Sequence, residues 1–167
     1  IAWFQGKHEF GPRALGSRSF LADPRKDSIR EVINKKIKKR ELFRPFAPST
    51  ILEKSKDYFD LNQESPYMNM VANVKENMKK IIPAVTHIDG TARVHTVTEK
   101  SNQIYYKLIK KFGAYTNVFV LLNTSFNIQE PIVYSPKDAI KTFLKSDVDY
   151  MFIGNYMCDI NWRKKNN

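Results

Sequence analysis

Val118-Phe119-Val120-Leu121-Leu122-Asn123-Thr124-Ser125-Phe126-Asn127 is the stretch whose reading decides the fold. Residues 118–122 are apolar without a break, which is the pattern of a strand covered on both faces, and such strands belong to sheets flanked by helices. Polar residues follow at once, and open α/β folds place ligands just beyond the end of a buried strand. Asn123, Ser125 and Asn127 are therefore candidate site residues.

On the N-terminal side, Thr98 to Gly113 predicts a helix whose buried stripe is Ile104, Tyr105, Leu108, Ile109 and Phe112, with Gly113 placed as a left-handed cap. On the C-terminal side, Ser135-Pro136-Lys137-Asp138 opens another helix, with Ser as cap, Pro at the first helical position and Asp in the first turn. Tyr150 to Ile153 and Cys158 to Trp162 read as closing strands, and Arg163 to Asn167 as a fraying tail.

Working back from the core strand, Ile1 to Phe4 is the apolar body of a strand. A chain that starts inside an element predicts a piece of a longer protein. Gly11-Pro12-Arg13-Ala14-Leu15-Gly16-Ser17-Arg18-Ser19 has two glycines that let amides approach a ligand, a proline that stiffens the turn, and two arginines with forked donors, the chemistry of an anion cradle. Ser19 to Ala22 is a short strand. Ser28 and Glu31 form a capping box for a helix of about four turns, with Ile29, Val32, Ile33 and Ile37 on one side and Lys35, Lys36, Lys39 and Arg40 largely on the other. Lys38 and Arg44 lie at or just past its C-terminal end.

Pro45 and Pro48 forbid further helix, so Phe46 to Leu52 reads as a strand and Glu53 to Phe59 as a short helix. Tyr67 to Val74 reads as another strand, its methionines as core filler. Asp89-Gly90 is a turn. Thr91 to Val97 alternates as a strand with Thr91, Arg93, His95 and Val97 on one face, and that face is expected to meet water or a polar ligand. The architecture expected is α/β, a twisted, largely mixed sheet with helices around it and a ligand groove over the sheet.

Composition narrows the function. At 167 residues and 42% hydrophobic content the chain is the size of one domain. It has no run of eighteen apolar residues and no export leader, so no membrane partner and a cytoplasmic setting are expected. The single Cys158 rules out an internal disulfide or a zinc site built on CxxC pairs, and reads as a half-buried packing thiol. The net charge of +11 permits nucleic acid, an anionic surface or small phosphorylated substrates, without choosing among them.

The polar side chains without an evident structural role in the sequence are His8, Arg13, Arg18, Lys38, Arg44, Arg93, Asn123, Ser125 and Asn127. Fixed cations, a hydroxyl and carboxamides are the tools of phosphoryl or acyl-phosphate chemistry. No Walker loop, GxSxG elbow or HExxH is present. His87, Asp89 and His95 read as hydrogen-bonded strand residues, and no metal ligands are assigned.

Four motifs, Gln5-Gly-Lys-His-Glu-Phe-Gly-Pro-Arg-Ala-Leu-Gly-Ser-Arg-Ser, Ile37-Lys-Lys-Arg-Glu-Leu-Phe-Arg-Pro-Phe-Ala-Pro, Pro83-Ala-Val-Thr-His-Ile-Asp-Gly-Thr-Ala-Arg-Val and Leu122-Asn-Thr-Ser-Phe-Asn, together resemble the C-terminal domain of the NodU/CmcH O-carbamoyltransferases. The resemblance implies a YrdC-like domain that makes carbamoyl-adenylate from carbamoyl phosphate and ATP. It also implies an N-terminal Kae1-like domain of the same chain that carries the carbamoyl group to an acceptor hydroxyl. By the same resemblance Arg13, Lys38, Arg93 and Ser125 bind carbamoyl phosphate and nucleotide phosphates, with Lys38, Arg93 and Ser125 in catalytic roles. Asn123 joins them, as does Arg44, either as a phosphate contact or as a structural arginine. ATP enters as a substrate, with Mg²⁺ expected beside it.

Two rival readings are an RNA-binding module working through Lys35 to Arg40, and a regulatory nucleotide-binding domain without catalysis. Nucleic acid is not the expected partner, because the phenylalanines sit at core-like spacing rather than as a stacking surface.

Overall fold

The computed structural model describes residues 1–159 and 161. Among them, eight strands form one sheet in the order β4-β5-β3-β6-β2-β1-β7-β8. These are β1 (Ala2–Phe4), β2 (Arg18–Ala22), β3 (Ala47–Ile51), β4 (Met70–Asn73), β5 (Thr91–Val97), β6 (Val120–Ser125), β7 (Tyr150–Ile153) and β8 (Tyr156–Asp159). The pairs β1–β7 and β3–β5 are parallel and the rest antiparallel. This is the mixed sheet with flanking helices that the sequence predicts. The end of the second closing strand and the 163–167 tail lie outside the described residues.

Strand β6 sits inside the sheet, beginning two residues into the apolar run and continuing through Asn123, Thr124 and Ser125, and its alternation explains why Val120, Leu121 and Leu122 are all apolar. Val120 and Leu122 enter one core with Phe20, Phe126 and Phe143, while Leu121 enters the opposite core with Trp3, Leu21, Ile51, Val97, Tyr105 and Ile109. Phe20 and Phe126 lie 4.7 Å apart at a tilt, worth about 1 kcal/mol beyond their burial.

The helices are α1 (Ser28–Val32), α2 (Leu52–Tyr58), α3 (Glu76–Lys79), α4 (Gln103–Thr116) and α5 (Pro136–Lys145). Helix α5 begins with a reciprocal Ser135–Asp138 capping box and Pro at its first position, as the sequence predicts. The Ser28–Glu31 box does not form. Asp27 is the N-cap with helical backbone angles and no side-chain cap bond, and Arg30 pairs with the Asp27 carboxylate. After Val32 the helix widens into a π-helical stretch, Ile33–Lys38, which ends where Lys39 turns left-handed at φ 49°.

Helix α4 is also displaced from its expected bounds. Thr98 and Ser101 bond each other in a turn, Asn102 is the cap, and the helix runs past Gly113 to a left-handed Asn117. Gly113 is required for packing, since a Cβ there would come within 2.2 Å of the Phe119 ring. Ile104, expected in the buried stripe, is half exposed, and Tyr105 and Ile109 carry the contact.

The topology places four chain segments at one end of the sheet. Strands β2, β3 and β5 start there and β6, antiparallel to β2 and β3, finishes there. The loop of residues 11–16 before β2, the turn of residues 39–46 before β3, Arg93 early in β5 and Ser125 at the close of β6 are thereby brought together.

Candidate functional site

The loop before β2 is an anion cradle, but its occupant is internal. The Glu9 carboxylate accepts the amides of Leu15 at 2.9 Å, Ser17 at 2.6 Å and Arg18 at 3.3 Å. Gly16 is at φ 95°, and a Cβ there would stand 2.0 Å from the Tyr105 ring, so both the turn and the packing against Tyr105 require this glycine. The segment therefore folds around its own carboxylate and holds Arg13 outward. Glu9→Ala is expected to orphan three donors and cost about 2 kcal/mol in urea denaturation, with part of the loss restored by sulfate. A variant as stable as wild type and indifferent to sulfate would show that the carboxylate does not hold the loop.

Arg13 is exposed and lines three adjoining hollows that make one groove. The central one, of about 210 Å³, is bounded by Arg13, Arg40, Arg44, Arg93, Asn123 and Ser125. Beside it lies a hollow of about 520 Å³ that adds Lys38, Lys39, Asn127 and Gln129. On the other flank a hollow of about 450 Å³ runs between Arg13 and Arg93 past Phe10, Tyr67 and Met68. Glu41 is the one acidic side chain lining these three hollows, 3.7 Å from Arg44.

The structure brings together every residue assigned to the site from sequence. Lys38 is buried at the end of the π-helical stretch, its Nζ donating to the Ser125 carbonyl at 2.6 Å, the Asn127 carbonyl at 2.9 Å, Asn127 Oδ1 at 2.7 Å and Ser125 Oγ at 3.2 Å. Burial first, then Arg40 and Arg44, pull its pKa down to about 7, with Glu130 pulling the other way. The four oxygens favour the charged form.

Arg93 is half-buried, held against Met68 Sδ at 4.0 Å, and its Nε is buried without a hydrogen bond. Burial and the charge of Arg13 lower its pKa. A cation kept beside another cation with an idle donor is a group waiting for an anion. Asn123 has a different task. Its Nδ2 donates to the Ala14 carbonyl and to Ser49 Oγ, both at 3.0 Å, tying the Arg13 loop to the sheet, while Oδ1 is buried without a donor.

The face of β5 that carries Arg93 does not meet ligand or water along its length. His95 is buried, 2.9 Å from Ser49 Oγ and stacked near Tyr105, and Val97 is in the core. Ser49 Oγ accepts from Asn123 and shares a hydrogen bond with His95 Nδ1, and burial pushes the imidazole down to about 3. Tyr105 and Ile109 of α4 cover this part of the strand, whereas Arg93 lines the groove. His87 and Asp89 bond to Thr91, the structural role expected of them.

Two of the out-of-place polar residues do not belong to the groove: Arg18 is structural and His8 lies outside it. Arg18 is buried, donates to the carbonyls of Gln5, Ser17 and Gly6, and lies 3.6 Å over the Phe4 ring. His8 is exposed beside Tyr134, 5.1 Å between ring centres, and lines none of the three hollows. Cys158 is half-buried and packed against the core.

Arg40 was expected on the solvent side of its helix, but the left-handed Lys39 turns it into the groove. Asn34, a second residue that the sequence reading passed over, is fully buried beneath it. The signal for Asn34 was a lone carboxamide beside Ile33 and Ile37 on the apolar side of the helix.

A family model described as the carbamoyltransferase C-terminus matches residues 1–159. The nodulation protein NolNO of Sinorhizobium fredii is 50% identical over 161 residues, covering 94% of this chain and 24% of that protein. The 3'-hydroxymethylcephem-O-carbamoyltransferase of Amycolatopsis lactamdurans is 43% identical over 156 residues, covering 93% of this chain and 29% of that protein. The chain thus spans about a quarter of the length of these relatives. Among solved structures, full-length HypF in its phosphate- and nucleotide-bound form is similar in fold, with a TM-score of 0.52 at 20% identity over 76% of this chain and 17% of that one.

Proposed function

Because this chain belongs to the carbamoyltransferase C-terminal family, we propose that its groove binds carbamoyl phosphate and ATP and forms carbamoyl-adenylate. The observation that carries this reading is the meeting of Arg13, Lys38, Arg40, Arg44 and Arg93 around connected hollows that hold a single carboxylate. Such a lining suits a highly charged ligand pair better than any neutral substrate.

In the proposed reaction, water adds to carbamoyl phosphate, inorganic phosphate leaves, and carbamate remains. A carbamate oxygen then forms a bond to the α-phosphorus of ATP as the bond to the β-phosphate breaks, giving carbamoyl-adenylate and pyrophosphate. Arg13 and Arg93 flank the central hollow and would clamp phosphoryl oxygens, their forked donors matching two oxygens at once. Lys38 reinforces the wall formed by Ser125 and Asn127 and presents a positive charge to the anion. Ser125 Oγ, already donating to Asn127 Oδ1 at 2.7 Å, would orient the carbamoyl group by accepting a hydrogen bond from its NH2. No protein base is required, since the protons of the added water leave with inorganic phosphate and the attacking carbamate is anionic.

Among the described residues no three His, Cys, Asp or Glu side chains gather to hold a metal ion, so the residues fit Mg²⁺ carried on the ATP phosphates rather than a protein-ligated ion. Bound there, it would neutralise phosphate charge. The later transfer to an acceptor hydroxyl is assigned to an N-terminal Kae1-like domain of the same chain, in a cytoplasmic setting. Among the described residues, no helix is long and apolar enough to cross a membrane.

The test is pyrophosphate release by the full-length protein. Release is expected when ATP and carbamoyl phosphate are both present and not with either alone. Release that ignores carbamoyl phosphate, or none with both, ends the proposal.

A further inference from the structure

We propose that Arg40 is an additional anion-binding residue of the groove and that Asn34 is the residue that positions it. The inference deepens the reading above that this groove takes a polyphosphate. Asn34 is 0% exposed, and both ends of its carboxamide are used on one short loop. Its Nδ2 donates to the carbonyls of Leu42 at 3.2 Å and Arg44 at 2.9 Å, and its Oδ1 accepts Arg40 Nε at 2.7 Å. Its own carbonyl accepts the amides of Lys39 and Arg40, the latter at 3.0 Å. The wider π-helical turn and the left-handed Lys39 make this wrap geometrically available, because they return the chain over the helix end instead of continuing along its axis.

The consequence is that the loop of residues 40–44 is moulded on one side chain. Arg40 is fixed at Nε by Asn34 and backed by the Phe46 ring, 4.9 Å from its guanidinium carbon. Neither of its terminal nitrogens donates to a protein group among the described residues, and the residue lines both the central hollow and the one beside Lys38. A carboxylate in place of Asn34 would hold the same nitrogen but neutralise the cation. A carboxamide orients the guanidinium and leaves its whole charge for a ligand. Burial and Arg44 bring the Arg40 pKa down to about 10, so the group remains charged at neutral pH.

The experiment measures inorganic pyrophosphate binding to the full-length protein by titration calorimetry, with thermal midpoints recorded alongside. Arg40→Ala is expected to weaken binding about tenfold, the loss of one charge-assisted contact. Arg40→Lys, which keeps a charge but loses the fork, should weaken it nearly as much. Asn34→Ala should cost about tenfold too, and adding it to Arg40→Ala should cost little more, because its effect runs through Arg40. Independent effects that multiply to about a hundredfold in the double variant would overturn the positioning role. Wild-type affinity in Arg40→Ala would overturn the direct contact, and it does so even if Asn34→Ala fails to fold. Wild-type protein that binds pyrophosphate with this coupling, yet releases none from ATP and carbamoyl phosphate, would remove the adenylate reaction and leave this inference in place.

Discussion

Replacing Lys38 with methionine is expected to lower carbamoyl phosphate-dependent pyrophosphate release about a hundredfold or more, on the scale seen when one preorganised donor is removed from an active site. The methionine is of similar length but offers no donor to the carbonyls of Ser125 and Asn127, so stability should also fall by about 2 kcal/mol at pH 7. The pH dependence separates the two effects. With a folded pKa of about 7 against roughly 10.4 when unfolded, the unfolded chain keeps a proton that the folded chain releases across that window. The Lys38 contribution to stability therefore rises as pH climbs from 7 to about 10 and is level below 7. Its contribution to anion affinity runs the other way, present below pH 7 and fading as the ammonium is lost. Wild type and Lys38→Met should diverge in both profiles, in opposite senses. Parallel profiles would show that Lys38 does not titrate in this range.

Arg93→Met is expected to match that loss of activity, about a hundredfold, with unfolding free energy unchanged or raised by about 0.5–1 kcal/mol. Ordinarily the loss of a half-buried arginine costs stability through lost packing and lost bonds. Here the guanidinium has an idle buried Nε, a thioether as its polar contact and Arg13 as its electrostatic neighbour. Methionine keeps much of the volume and removes the strain. Urea denaturation read beside the pyrophosphate assay decides the matter. A fall of 2 kcal/mol or more in stability, in step with activity, would mark Arg93 as a structural residue and remove it from the site.

The two variants also bear on the rival RNA-binding reading. Lys35, Lys36 and Lys39 are exposed, whereas Arg40 is tied into the groove, so the basic stretch does not present one continuous face. Binding of nucleic acid through the exposed lysines would survive both substitutions.

Local chemistry determined much of this molecule in advance. The apolar run leading into β6, the alternation of β5, the Ser135 cap and Pro45 before β3 each specify an element through their own backbone and burial needs, although β6 begins two residues into that run and extends through Ser125. Arg13, Lys38, Arg93, Asn123 and Ser125 were legible through the resemblance of the four motifs, whereas polarity out of place by itself also picked out His8 and Arg18, which lie outside the groove. What the linear chain did not contain was which donors and acceptors would meet. Glu9 rather than a ligand fills the amide nest of residues 15–18, His95 goes into the core while Arg93 two residues earlier reaches the groove, and Arg40 turns inward through a π-helical widening. Each of these depends on a contact between distant segments or on a backbone state of small energy difference, and only the packed sheet, with four strand ends gathered at one edge, selects among them.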